Sequence, residues 1–130
     1  MKLDYGDYSF KLPENTELGI LRDLFFTDEI IVERKNSLEE LSGNYSTERN
    51  RIKAEFAGAP SKKVLLIENG TYSKMVEGKY NTNYNPKSYW ATMLSMWHKY
   101  DMPVMFMEDS KYTGQFIYGY FYYYLKGILG

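Results

Sequence analysis

Ile30-Ile31-Val32-Glu33-Arg34-Lys35 is the stretch on which the reading of the fold turns. Three β-branched residues in a short run favour a strand, because branched side chains pack well on a pleated surface. Side chains alternate along a strand, so Glu33 and Lys35 share a face while Arg34 points to the other. Upstream lies Gly6-Asp7-Tyr8. If a neighbouring strand carries Asp7 to the end of this run, two carboxylates stand beside an amine. That set suits a divalent cation and a lysine able to orient or deprotonate a water, the minimum for metal-assisted phosphodiester hydrolysis.

The chain has 130 residues, enough for one domain with a real core. No apolar run approaches the roughly 20 residues of a membrane span. Met1-Lys2-Leu3-Asp4 lacks the basic and apolar blocks of a secretory signal, so a cytoplasmic protein is expected. The absence of cysteine removes disulfides, thiolate zinc sites and cysteine nucleophiles together. Sixteen basic residues nearly balance 17 acidic ones, which argues against avid nucleic-acid binding by charge alone. A nuclease remains compatible with this balance, because acidic ligands lower the formal charge and a bound metal restores positive potential. Tyrosine is over-used, with 14 residues, most of them from Tyr72 onward.

Residues 2–12 predict one or two short strands around Gly6-Asp7, closed by Pro13. Leu18 to Phe26 fits either a helical turn or a loop. Ser37-Leu38-Glu39-Glu40 has the form of a capping box, with Ser37 as cap, and a short helix is expected after it. Ser46-Thr47-Glu48 predicts a second helix to about Ala57, with Ile52 and Phe56 on one face and Arg49, Arg51 and Lys53 available to solvent or phosphate. Val64-Leu65-Leu66-Ile67 reads as a buried strand that stops at Asn69-Gly70. Tyr72 to Glu77 fits one or two helical turns, and 79–85 is an asparagine-rich loop. Pro86 opens a helix to about Tyr100 with Trp90, Met93, Leu94 and Trp97 as its apolar stripe. Pro103 to Met107 predicts a strand, and Asp109 to Lys126 a last helix, apolar around much of its girth. Strands alternating with helices imply an α/β sandwich with parallel strands covered on both faces.

With Gly6-Asp7, Glu33-Arg34-Lys35 and Glu39 in place, the chain resembles the XPF-type nuclease domain of the restriction-endonuclease-like, PD-(D/E)xK superfamily. That family carries Gly-Asp, a gap, then Glu-Arg-Lys-x-x-x-Asp. Leu65-Leu66-Ile67-Glu68, Met102-Pro103-Val104-Met105-Phe106 and Thr113 to Leu125 are similar to its later parts, so the resemblance spans nearly the whole length. It implies an α/β three-layer sandwich, a central mixed sheet flanked by helices, over 1–130. It also implies a Mg²⁺- or Mn²⁺-dependent DNA endonuclease acting on branched or flapped DNA. Asp7 and Glu33 would be metal ligands, Lys35 would act on the attacking water, and Arg34 would support the site or contact phosphate. Glu39 stands where the family has aspartate, one methylene longer, and would act behind the ligands. The family's opening strand with Asp-x-Arg-Glu has no counterpart before Gly6, with Asp4 the candidate to stand in for its aspartate, and no helix-hairpin-helix module is present. XPF-type domains typically dimerise, which would give the C-terminal aromatic helix a partner. Stand-alone versions are similar to domains of phages and mobile elements, which would place the protein in a host cytoplasm.

Each of these residues has a plainer role. Gly-Asp is common turn chemistry, and Glu33 and Lys35 could be an exposed pair at a sheet edge. Glu68 fits a cap on the Asn69-Gly70 turn better than a fourth acidic group. Arg49, Arg51 and Lys53 are DNA-backbone candidates, or a solvated helix face. His98 has no partner for a zinc site and reads as structural. Against the enzyme stands an inactive XPF-like module that binds DNA or a partner subunit.

Overall fold

Near-continuous apolar runs in two neighbouring strands put apolar side chains on both faces of a sheet, which must therefore be covered twice. The computed structural model describes residues 6–20 and 22–130. Residues 1–5, including Asp4 and the start of the first expected strand, lie outside the described residues, as do Leu21 and the side chain of Leu18. The sheet consists of β3 (Ile30–Lys35), β4 (Lys62–Glu68) and β5 (Val104–Met107) in the order β3-β4-β5. All its pairings are parallel, with Glu33 opposite Leu65 and Leu65 opposite Val104. Tyr8 adds an antiparallel bridge to Val32 on the outer edge of β3, which makes the sheet mixed. β1 (Lys11–Leu12) and β2 (Leu24–Phe25) pair antiparallel as a separate hairpin, so Leu18 to Phe26 ends in a strand after a 3-10 turn at Thr16–Leu18.

β4 is central and buried from Lys63 to Glu68, which is why it reads as a continuous apolar run rather than an alternating one. Leu65 and Ile67 face α1 (Leu38–Thr47), α2 (Arg49–Gly58) and α4 (Pro86–Tyr100), packing with Leu41, Ile52 and Met93. Ile30, Val32, Val64 and Leu66 face the other way, against Phe121 of α5 (Thr113–Leu129), with Phe10 and Phe26 beside them. This is the helix-sheet-helix sandwich expected of the sequence. A five-residue helix, α3 (Tyr72–Val76), leads into α4.

Three details depart from expectation. α1 runs on to Thr47 and the break falls at Glu48, so Ser46 lies inside the first helix rather than capping the second. The buried stripe of α4 is Tyr89, Met93 and Met96; Trp90 is 40% exposed and donates through Nε1 to the Tyr72 hydroxyl. Tyr89 takes the inward position because its hydroxyl reaches the Leu38 carbonyl at 2.8 Å, which satisfies the polar atom while the ring fills the core. The last helix begins at Thr113, after a 3-10 turn at Ser110–Tyr112, and Phe121 is its one buried residue.

Candidate active site

Ser37 accepts from the Glu40 amide at 3.1 Å and Glu40 accepts from the Asn36 amide at 2.9 Å, the reciprocal capping box that the sequence suggested. α1 therefore starts three residues beyond the end of β3 and lies on the face to which Glu33 and Lys35 point. The result is burial. Glu33 is 7% exposed and Lys35 8%, and the Lys35 Nζ lies 3.4 Å from Glu33 Oε1. An exposed edge pair would be bathed in water, so that plainer reading is overturned for these two side chains.

Asp7 reaches the same strand end through backbone geometry. The Asp7 and Tyr8 amides both donate to the Val32 carbonyl, at 2.9 and 3.1 Å, and the Val32 amide donates back to Tyr8 at 2.9 Å. Asp7 Oδ2 then accepts the Arg34 amide at 2.7 Å. The carboxylate is thereby fixed at the main chain between Glu33 and Lys35. Gly6 is required for this approach, because its φ is +76° and a Cβ there would sit 2.6 Å from Ile31 Cδ1.

The electrostatics record the proximity. Burial raises the Glu33 pKa from 4.5 to about 7, and the Asp7 charge pushes it in the same direction. Lys35 opposes both and loses; Glu55 of α2 adds a smaller upward push. A buried carboxyl next to a second carboxylate is a site where a divalent cation would relieve the strain on both. The donors fit Mg²⁺ or Mn²⁺: they are hard oxygens, and Mg²⁺ is commonly held by one or two carboxylates plus waters and substrate phosphate. Among the described residues no cluster of three or more acidic, histidine or cysteine side chains could hold a metal, so the chain itself would supply Asp7 and Glu33.

Glu39 does not join this pair through any hydrogen bond among the described residues. Its Oε2 accepts the Asn81 amide at 2.9 Å and ties α1 to the asparagine-rich loop. Arg34 lies on the opposite face, as alternation requires, and its Nε donates to Glu68. Glu68 is 3% exposed and also accepts from the Thr113 hydroxyl, so it braces Arg34 and α5 instead of capping the turn. The turn is made by Asn69, at φ +58°. Period-2 alternation in Leu65-Leu66-Ile67-Glu68 was the available signal, since it places Glu68 on the face of Arg34. Glu55 and Thr113 had no such local signal. Of the basic residues on α2, Arg51 is paired with Glu48 and Glu55, Arg49 is held by neutral oxygens, and Lys53 makes no ion pair among the described residues. His98 is exposed and stands apart from these groups.

The sequence model of the ERCC4 domain family matches residues 1–120. The fold is similar to that of XPF from Aeropyrum pernix, with a TM-score of 0.57 and 22% sequence identity over 86% of this chain and 50% of that one. The chain thus spans about half the length of that protein. No functionally curated protein matches it.

The raised Glu33 carboxyl sets a pH dependence in the metal-free protein. The folded state keeps a proton that the unfolded chain loses near pH 4.5, so the associated stability is complete below that value and disappears as the pH rises through about 7. The loss is on the order of a few kcal/mol. Thermal melts of Glu33→Gln, which cannot ionise, should match the wild type near pH 5 and exceed it at pH 8. Parallel profiles for the two proteins would show that Glu33 is not held neutral by its surroundings.

Proposed function

This chain belongs to the ERCC4 domain family, and from that membership we propose that it is a metal-dependent endonuclease cutting branched or flapped DNA. The observation that carries the reading is the burial of Glu33 and Lys35 beside the Asp7 carboxylate, which is pinned to the Arg34 amide. A structural charge pair has no need of a second carboxylate that makes it less favourable.

Asp7 and Glu33 would hold Mg²⁺ or Mn²⁺. When bound, the cation polarises the scissile phosphate and lowers the pKa of the attacking water. Glu33 must shed its proton for this role, and its raised pKa puts that loss near neutral pH. Lys35, buried at the edge of the pair, positions the water or stabilises the negative charge that develops on phosphate. Arg34 keeps a side chain that is 40% exposed although Nε is anchored on Glu68, so its remaining donors can meet a phosphate. Glu39 acts indirectly, by holding the loop around Asn81. In this proposal the protein acts in the cytoplasm, that of a host cell in the case of a phage source.

The second reading is a family member that binds DNA or a partner without cutting. The engagement of Glu39 with Asn81, and the finding that no third ligating side chain groups with Asp7 and Glu33 among the described residues, favour it. Labelled flap, fork, junction and plain duplex substrates in Mg²⁺ and Mn²⁺ separate the two. Cleavage of a branched substrate, lowered at least about a hundredfold in Glu33→Gln and in Lys35→Ala, is the expected result. Undiminished cutting by either folded variant removes the mechanism, and binding without cutting by the wild type selects the second reading.

The chain also forms a homodimer in this proposal. α5 covers the sheet with Phe121 while Tyr118, Tyr123 and Leu129 remain 70%, 68% and 73% exposed, an aromatic surface suited to an interface. Light scattering at micromolar concentration should give twice the chain mass, falling to the monomer in Tyr118→Glu/Tyr123→Glu. A monomeric wild type would refute the dimer.

A further inference from the structure

A groove of about 220 Å³ runs between α2 and α4, lined by Arg49, Lys53, Thr92, Ser95 and Lys99 with no carboxylate among its lining residues. Elsewhere on β3 and α2 the basic side chains are ion-paired: Arg34 with Glu68, Lys35 with Glu33, Arg51 with Glu48 and Glu55. The groove differs. Arg49 Nε donates to the Tyr45 carbonyl at 3.2 Å, and its Nη2 donates to the Tyr84 hydroxyl at 3.2 Å and to Thr92 Oγ1 at 3.3 Å. Tyr84 and Thr92 are themselves joined at 2.9 Å. The guanidinium is therefore held in one position by neutral oxygens alone, with its charge uncompensated. Lys53, half-buried, and Lys99, exposed, extend that charge along the groove, and neither makes an ion pair among the described residues. In a chain of net charge −1, three unmatched cations converging with two hydroxyls form a local surplus.

From this we infer that the α2/α4 groove binds the phosphodiester backbone of the DNA that the protein engages, as a site separate from the one that cuts. The occupant follows from charge: with Nε and Nη2 of Arg49 engaged by neutral oxygens, the pre-oriented guanidinium keeps Nη1 to donate to a phosphate oxygen, and Lys53, four residues along α2, and Lys99, across the groove on α4, suit neighbouring phosphates of the strand. Hydroxyls at Thr92 and Ser95 can donate to the same oxygens, and contacts of this kind confer register on the duplex without reading its sequence. The inference rests on DNA being the substrate, and it narrows the α2 candidates to Arg49 and Lys53, adds Lys99 and sets Arg51 aside. Arg51 is already committed to two glutamates.

Binding of a fluorescent flap oligonucleotide is followed by anisotropy over a series of KCl concentrations in Ca²⁺, for the wild type, Lys53→Ala/Lys99→Ala and Arg51→Ala. The lysine pair should weaken binding about tenfold or more and reduce the slope of log K against log[KCl] by about two, one for each lost phosphate contact. Arg51→Ala should leave both unchanged, and cleavage in Mg²⁺ by the lysine variant should show a raised KM with kcat retained. Wild-type affinity and slope in the lysine variant overturn the groove and leave the nuclease reading intact. Groove-dependent binding by a wild type that cuts nothing keeps the groove and removes the nuclease. A wild type that binds no DNA overturns both.

Discussion

The hydrogen bond from the Arg34 amide to the Asp7 carboxylate is the contact on which the rest of the site depends. Asp7 lies 27 residues before Arg34 in the chain, and nothing in its own segment directs it to the strand end. The Tyr8–Val32 bridge brings the backbone alongside β3, Gly6 allows it to pass Ile31, and the Arg34 amide then captures one carboxylate oxygen. The same step has an electrostatic consequence. A carboxylate delivered beside Glu33 pushes up a pKa that burial has already raised, although Lys35 sits within ion-pair distance. The pocket is thus under-supplied with positive charge by the chain's own residues, and a divalent cation would complete it.

Strand alternation divides the labour between the two faces of the sheet. Glu33 and Lys35 point toward α1, α2 and α4, where the proposed chemistry sits. Arg34 points toward α5, where Glu68 and Thr113 receive it. Glu68 is almost wholly buried and accepts from both, so it ties β3, β4 and the first turn of α5 into one unit. A buried carboxylate left without partners would be costly, and this one has two. The surface of α5 that carries Tyr118 and Tyr123 is in this way joined to the strand bearing the candidate catalytic residues. The α2/α4 groove lies in the opposite layer, on helices that pack against the Leu65 and Ile67 face.

Much of the fold was legible because the governing signals were local. The β-branched run at 30–32, the capping box at Ser37, the apolar run at 64–67 and Pro86 at the start of α4 each specify an element within a few residues. The convergence of Asp7 with Glu33 and Lys35 was legible from the residues only as a condition, and the family resemblance gave it support, since the contact is made by backbone geometry that the residues around Asp7 do not announce. What escaped was decided by tertiary contacts. Trp90 was expected inside and lies outside because Tyr89 both fills the core and finds the Leu38 carbonyl. Glu68 was assigned to a turn because its partners, Arg34 and Thr113, are 34 and 45 residues away. Glu48, rather than Ser46, divides α1 from α2, and no strong helix breaker marks it.

Mn²⁺ titration by calorimetry, in buffers of different ionisation enthalpy, tests most directly whether Asp7 and Glu33 share one cation. The account predicts a single site in the wild type whose occupation near pH 7 releases a fraction of a proton, because burial and Asp7 raise the Glu33 carboxyl to about 7. Both the heat of binding and the released proton should disappear in Glu33→Gln and in Asp7→Asn. Binding without proton release, or equal affinity in either variant, would contradict it.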